Sequence, residues 1–335
     1  MRILLRNYQS PGDTLMLTAA ASCLKQARPS WEIYVSTPDP ALWRFNASVR
    51  GFLYDAECSA VKFDKVVNCE YPSIHESNES GKHFVTGFTE HLSGVLGFHI
   101  PQTQWTGRLL RPWEYALGPK EVDHLQQYWV VFAGGKYDFT AKWWPHDHWQ
   151  TLVKDMRRSG IPVVQAGASE HYHPHLTHAN INLVGKTDLD GLIHLLTGAQ
   201  GVVCPVTFAH HAMAAIAGHG RYNAHKGLVT IAGGREPSTW EDYTPLVHAG
   251  AVTPFLHARY HGPKKEYSCC GPIGGCWKSR TVALGDDSEQ NASLCKLPVI
   301  NTATNDPAAP QCLVDITPGM VLESVLSVRR EIMDA

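Results

Sequence analysis

The run Tyr128-Trp129-Val130-Val131-Phe132-Ala133-Gly134-Gly135 decides the fold. Five apolar residues in a row, stopped by small ones, describe a strand buried on both faces that ends in a loop. Lys142-Trp143-Trp144-Pro145 follows, and then the segment 148–158, in which Leu152, Val153 and Met156 fall on one helical face before Ser159-Gly160 stops it. Residues 161–165 read as a second strand leading into Gly167-Ala168, and 181–184 as a third before Gly185-Lys186-Thr187. Residues 188–199 suit a helix, 201–204 a fourth strand, 210–217 a small-residue helix and 228–231 a further strand. Strands alternating with helices predict a parallel sheet with ligands at the carboxyl ends of its strands.

The chain opens on the same unit. Ile3-Leu4-Leu5 reads as a strand, Asn7 to Asp13 as a turn, and 14–26 as a helix ended by Arg28-Pro29. Residues 31–35 form the next strand, two shorter strands lie between Phe52 and Asn68, 73–82 is a polar surface loop and 84–96 a helix. The Pro- and Gly-containing stretch 102–122 links the halves. The expected architecture is α/β with two Rossmann-like lobes. Residues 1–115 form the first and 125–262 the second, followed by a cysteine-rich segment over 263–318 and a C-terminal helix over 319–335.

With 335 residues, 44% hydrophobic and 18% charged, the chain is long enough for two cores and lacks the composition of disorder. A net charge of −2 offers no general polyanion surface, so no nucleic-acid partner is expected. No apolar run approaches the ~18 residues of a membrane span, although peripheral membrane contact stays open. Arg2, Arg6 and Asn7 interrupt the N-terminus too early for a signal peptide, and a cytoplasmic protein is expected.

Several residue patterns carry chemistry. Asp13 follows Gly12 at the end of the first strand, where it suits either a helix cap or a general base accepting a hydroxyl proton. Lys142 sits in a loop after a strand, where an ammonium neutralises charge building up on a diphosphate. Thr207, Phe208, Ala209 and His210 stand between strand and helix, so their amides suit a phosphate. Gly167, Ala168 and Glu170 follow another strand, and Arg235 stands beside two glycines.

Lys142-Trp143-Trp144-Pro145, Gly167-Ala168, Leu183-Val184-Gly185-Lys186-Thr187-Asp188-Leu189 and Thr207-Phe208-Ala209-His210-His211-Ala212 occur in an order that resembles the C-terminal half of the family 9, heptosyltransferase-like glycosyltransferases of GT-B fold. Ser10-Pro11-Gly12-Asp13-Thr14-Leu15 resembles that family's N-terminal Gly-Asp motif. The resemblance implies that Asp13 is the catalytic base, that Gly12 belongs to the same motif, and that Gly167, Ala168 and Glu170 meet base and ribose. Lys142 and the amides around Thr207 would then hold the departing diphosphate without a catalytic metal. It also implies an inverting transfer from a nucleotide-diphosphate sugar, ADP-heptose or a relative, to a glycan, a lipid-linked glycan such as a lipopolysaccharide core, or a protein. The family carries an Asp just before the Thr207 position, where this chain has Pro205-Val206, and any contact that needs that carboxylate is absent. A nucleotide-sugar epimerase of GT-B form and a non-catalytic metal-stabilised scaffold are the rival readings. Gly12-Asp13 and Lys142, neither needed for folding, argue against the scaffold.

Five of nine cysteines fall in the last fifth of the chain: Cys269, Cys270, Cys276, Cys295 and Cys312. In a reducing compartment such clustering points to metal before disulfide, and one of Cys269 and Cys270 is spare in a tetrahedral set. The segment resembles the C-terminal four-cysteine iron finger of bacterial protein (autotransporter) heptosyltransferases, with Cys312 to Pro318 matching its last part. A structural zinc or iron held by Cys270, Cys276, Cys295 and Cys312 is expected. The histidine knots at 146–148 and 171–178 could each bind a metal, the second, in a polar loop, reads as solvated surface, and the last helix is expected to cross back onto the first lobe.

Overall fold

A computed structural model describes residues 1–70, 81–109, 119–217, 225–252, 255–263, 265, 267–271, 275–300 and 306–335. Most of the expected polar loop 73–82 and part of the 102–122 link lie outside these residues.

Two parallel sheets carry the chain. The first is built from β1 (Arg2–Arg6), β2 (Glu32–Ser36), β3 (Gly51–Phe52) and β4 (Lys65–Asn68), in the order β3-β2-β1-β4. The second comprises β5 (Trp129–Val131), β6 (Val163–Gln165), β7 (Ile181–Asn182), β8 (Gly201–Pro205), β9 (Lys226–Ile231) and β10 (Leu256–His261), in the order β10-β9-β8-β5-β6-β7. The short β11 (Pro298–Val299) and β12 (Ala309–Pro310) pair antiparallel in the cysteine-rich segment. In each parallel sheet the strand order reverses beside the opening strand, between β1 and β4 and between β5 and β8. Such a reversal leaves a crevice at the carboxyl edge where the flanking loops diverge.

The helices are α1 (Pro11–Ala27), α2 (Asp55–Cys58), α3 (Phe84–Leu96), α4 (His146–Arg158), α5 (Leu189–Gly198), α6 (Phe208–Ala217), α7 (Ser238–Glu241), α8 (Thr244–His248), α9 (Gln311–Val314) and α10 (Pro318–Asp334). α1 starts three residues before the expected position, because Pro11 serves as its first residue rather than as part of a turn. It is buried all round, from Thr14 to Leu24, since it lies between the first sheet, α3 and α6. An all-buried helix has no polar face to reveal it as amphipathic. α6 is equally buried, and its alanines let α1 come close.

One apolar core runs from the first sheet through α1 and α6 to one face of the second sheet, joining Leu5, Leu15, Met213 and Val202. A second core covers the other face of that sheet, where Trp129, Val131 and Trp149 meet Val321, Val325 and Val328 of α10. The expectation for the last helix is corrected here: α10 packs on β9, β10 and α4 of the second lobe. Those three valines recur every three or four residues and are fully buried, worth about 1.5–3 kcal/mol each in that position.

Candidate active site between the two sheets

The two crevices face each other across the α1–α6 contact. Gly12 permits that approach, because a Cβ there would stand 3.2 Å from the His211 ring on α6. Ser10 caps α1, and Asp13 in its first turn accepts the Ser10 N–H at 3.1 Å. From the second lobe, the Lys136 ammonium donates to Ser10 Oγ at 2.9 Å, so the loop after β5 touches the loop after β1. Burial pushes the Asp13 carboxyl up to about 6, against the pull of Lys142, the Ser10 amide and Lys136. A carboxylate so poised exchanges a proton near neutrality, as a general base requires.

Lys142 closes the irregular turn Tyr137–Lys142 after β5. Its ammonium crosses the β5–β8 crevice to donate to the Val206 carbonyl at 3.1 Å and pairs with the Glu236 carboxylate. Glu236 is buried and lies 3.6 Å from the Arg235 guanidinium. Behind it stands Glu241, 4% exposed, whose Oε2 has no hydrogen-bond partner among the described residues. Burial, reinforced by Glu236 and by Asp13 against Lys142, holds Glu241 well above the usual carboxylate range, so it stays a neutral acid. His83, His210 and His211 line the floor and are kept neutral chiefly by burial. The cations that act on Asp13 are therefore Lys142 and Lys136.

Of the residues singled out in the sequence, Asp13, Gly12, Lys142 and Arg235 converge here. Thr207, Phe208 and Ala209 head α6 at the same crevice, while the His210 amide is spent on the Thr207 carbonyl at 3.1 Å. The His210 ring is also committed within the chain, to Thr230 Oγ1 at 2.8 Å and the Glu241 carbonyl at 2.7 Å, and is a core histidine. Arg235 is turned aside, with Nη1 donating to the carbonyls of Trp277 at 3.1 Å and Lys278 at 2.6 Å. Gly167 and Ala168 follow β6, and a Cβ on Gly167 would strike the His173 ring at 2.3 Å. His173 is consequently not solvated surface; burial lowers it to about 4. Glu170 is exposed in that loop, held below its ordinary range first by its own amide. Sequence reading missed Glu236 and Glu241. The only local signal was the position of Glu236 beside Arg235 at the end of β9.

On the first lobe, a cavity of about 360 Å³ opens beside this site, lined by Arg6, Asn7, Tyr8, Gln9, Asn68 and Cys69. Asn7 fixes its wall by donating to the Cys69 carbonyl at 2.6 Å and accepting the Gln9 N–H at 2.9 Å.

The cysteine-rich segment abuts the same loops. No disulfide joins any of the nine cysteines, all of which are described, and Cys269, Cys270, Cys276, Cys295 and Cys312 line one cavity of about 10 Å³. Three sulfurs accept backbone N–H groups: Cys312 from Gly234 at 3.3 Å, Cys295 from Leu297 at 3.3 Å and Cys276 from Lys278. Burial pushes Cys276 up to about 11 and Cys312 to about 12. Among the described residues, however, no three His, Cys, Asp or Glu side chains are gathered into a group that could hold a metal ion. The thiols share a cavity without converging on one point.

Two facing lobes, each on a parallel sheet, make the architecture of the GT-B fold. Residues 69–218 match the sequence model of glycosyltransferase family 9 (heptosyltransferase), and the chain is a glycosyltransferase. The fold is similar to that of the Escherichia coli ADP-heptose lipopolysaccharide heptosyltransferase II, at 16% identity and TM-score 0.64 over 100% of both chains. A glycosyl transferase family 9 structure from Veillonella parvula matches at 12% identity and TM-score 0.66, over 98% of this chain and 97% of that one. The dodecameric iron-containing heptosyltransferase TibC of enterotoxigenic E. coli, solved with ADP-D-beta-D-heptose, matches at 12% identity and TM-score 0.65, over 98% of this chain and 77% of its own. No curated protein sequence matches. No described helix is long and apolar enough to cross a membrane.

Proposed function

We propose that the protein transfers a heptose or related sugar, with inversion, from a nucleoside-diphosphate donor to an acceptor hydroxyl, and that the donor is ADP-linked. The observation that carries this reading is the juxtaposition of Asp13 with Lys142 and Glu236 across the two crevices. The acceptor enters on the first lobe, over the Arg6–Cys69 cavity, with its hydroxyl against Asp13. As the acceptor oxygen attacks the anomeric carbon, Asp13 takes the hydroxyl proton and the C–O bond to the diphosphate breaks. Lys142 and the amides of Phe208 and Ala209 meet the negative charge on the leaving diphosphate, so no metal enters the chemistry. Gly167, Ala168 and Glu170 hold base and ribose. The acceptor is a glycan, a lipid-linked core or a protein met in the cytoplasm. The functional units are residues 1–115 for the acceptor, 125–262 for the donor, 263–318 for a metal finger and 319–335 for the closing helix.

The metal finger rests on the thiol donors around one ion-sized cavity and on the amides aimed at three of the sulfurs. N–H···S bonds offset the charge that thiolates carry on binding a cation. Cys270, Cys276, Cys295 and Cys312 would hold a structural zinc or iron, and the iron in TibC makes iron the first metal to test.

Calorimetric titration with ADP, GDP, UDP and CDP tests the donor reading. Selective binding of ADP, weakened in Lys142→Met, is expected. Binding of none of the four would return the chain to the scaffold reading.

A further inference from the structure

The cysteine cluster is wired into the candidate donor site by a short set of hydrogen bonds. Gly234 N–H donates to Cys312 Sγ, and the Cys276 N–H donates to the Gly234 carbonyl. A side chain at Gly234 has no room, since a Cβ would stand 2.9 Å from Cys270 Sγ. The next residue, Arg235, spends Nη1 on the carbonyls of Trp277 and Lys278, immediately after Cys276. Glu236 follows, and it pairs with Lys142. The segment also holds the Lys142 loop directly. Ala141 N–H donates to the Ser279 carbonyl at 3.1 Å, Thr281 N–H to Thr140 Oγ1 at 2.8 Å, and Thr281 Oγ1 to the Thr140 carbonyl at 3.1 Å.

The stretch between Cys276 and Cys295 is braced from within. Arg280 is 1% exposed and grips Asp286 with two bonds of 2.6 and 2.8 Å, while the Cys295 N–H donates to the Arg280 carbonyl at 2.7 Å. Among the described residues, 233–236 is tied down by the thiols, the Arg235 bonds, the Lys142–Glu236 pair and the Tyr260 hydroxyl, which donates to the Glu236 carbonyl at 3.3 Å. A cation that drew the sulfurs together would fix Gly234 through Cys312 and Cys270, Arg235 through the carbonyls after Cys276, and Lys142 through Thr140 and Ala141.

We propose that the cysteine-rich segment is a positioning element of the donor site: filling the thiol cluster sets the placement of Lys142, Arg235 and Glu236, and through them the affinity for the nucleoside diphosphate. This rests on the donor reading above and adds a coupling to it. Ligand and cation stabilise each other, so the linkage is reciprocal.

The test uses the full chain, loaded with iron(II) or zinc(II) and then stripped with chelator under reductant. ADP affinity is read by calorimetry and backbone mobility by amide hydrogen exchange. Stripping is expected to weaken ADP binding about tenfold, within the usual range for coupled sites, and ADP is expected to raise metal affinity by the same factor. Exchange should rise over 138–143 and 233–236 while β5, β8 and β9 stay protected. Thr281→Val removes one strap without touching a thiol; it should keep the metal and still weaken ADP, and Thr281→Ser should restore it. Equal ADP affinity and equal exchange in loaded and stripped protein would overturn the proposal, as would a chain that takes up neither metal. If the loaded protein binds no nucleoside diphosphate, the donor reading fails instead, and the exchange of 138–143 on stripping still decides the coupling.

Discussion

Two lysines on the same sheet show how differently its two edges are used. Lys226 begins β9 at the amino edge, is 5% exposed, and donates to the carbonyls of Thr197 at 2.7 Å and Ala199 at 2.6 Å. Those carbonyls close α5, where unpaired C=O groups attract a cation. Burial lowers Lys226 to about 8, and among the described residues no carboxylate pairs with it. Lys142 stands at the carboxyl edge with one carbonyl and the Glu236 carboxylate, a partner that an anionic ligand can displace. A cation held by fixed carbonyls completes the fold, whereas one held by an exchangeable carboxylate is available for chemistry.

The contrast is broken most severely by removing Asp13, the proposed base that faces Lys142. Asp13→Asn keeps an acceptor for the Ser10 amide but not the proton acceptor, so turnover should fall about 100- to 10,000-fold. The folded chain holds the Asp13 proton up to about 6 while the unfolded chain releases it near 3.8. Charging a desolvated Asp13 therefore costs stability as pH rises through that window, and the variant should be no less stable than wild type at pH 7. Wild-type turnover should climb with pH through about 6. An active Asp13→Asn enzyme in a transfer assay would exclude the proposed mechanism.

The lysines themselves come next. Lys142→Met should lower kcat about 100- to 1,000-fold, the usual cost of one lost oxyanion contact, while Glu236, left with Arg235 at 3.6 Å, limits the loss of thermal stability. Lys226→Met should do the reverse, destabilising the chain by about 1–3 kcal/mol through the orphaned α5 carbonyls and leaving kcat alone. The two substitutions trading these effects would refute the division of labour. Stability against pH sharpens it further. Between about 8 and 10.5 the native Lys226 binds fewer protons than the unfolded one, so wild-type stability should rise with pH, by at most about 3 kcal/mol, and Lys226→Met should lack that slope.

Much of this was legible beforehand, for reasons that separate by element. The strands of the second sheet announce themselves because both faces are buried: Trp129–Val131, Val163–Gln165 and Gly201–Pro205 are buried throughout and, Gln165 apart, carry no polar side chain. β10, Leu-His-Ala-Arg-Tyr-His, stayed unread because an edge strand alternates and half its side chains face outward. The Gly-Asp and Lys-Trp-Trp-Pro motifs were legible as patterns, and the fold brings Asp13 and Lys142 to one place, while Trp143 and Trp144 are buried beside them. Glu236 and Glu241 gave no pattern. Their importance comes from burial beside Lys142 and Asp13, which lie about a hundred and over two hundred residues away in the chain. The cysteines were legible as a set, but their attachment to Gly234 and Arg235 depends on the fold.

The finest test separates the two partners of Lys142. Glu236→Gln retains the shape and a hydrogen bond but removes the charge that a diphosphate must displace. Lys142 then faces the ligand uncompensated, and ADP should bind several-fold more tightly, about the 1–1.5 kcal/mol expected of a partly buried charge pair. Turnover should not rise with it, because tighter binding of donor and leaving group alike lowers KM without lowering the barrier. Calorimetry and steady-state rates on the same preparation decide the matter. If Glu236→Gln weakens ADP, Glu236 is a structural brace for Lys142, and the carboxyl-edge lysine is held as rigidly as its counterpart at the amino edge.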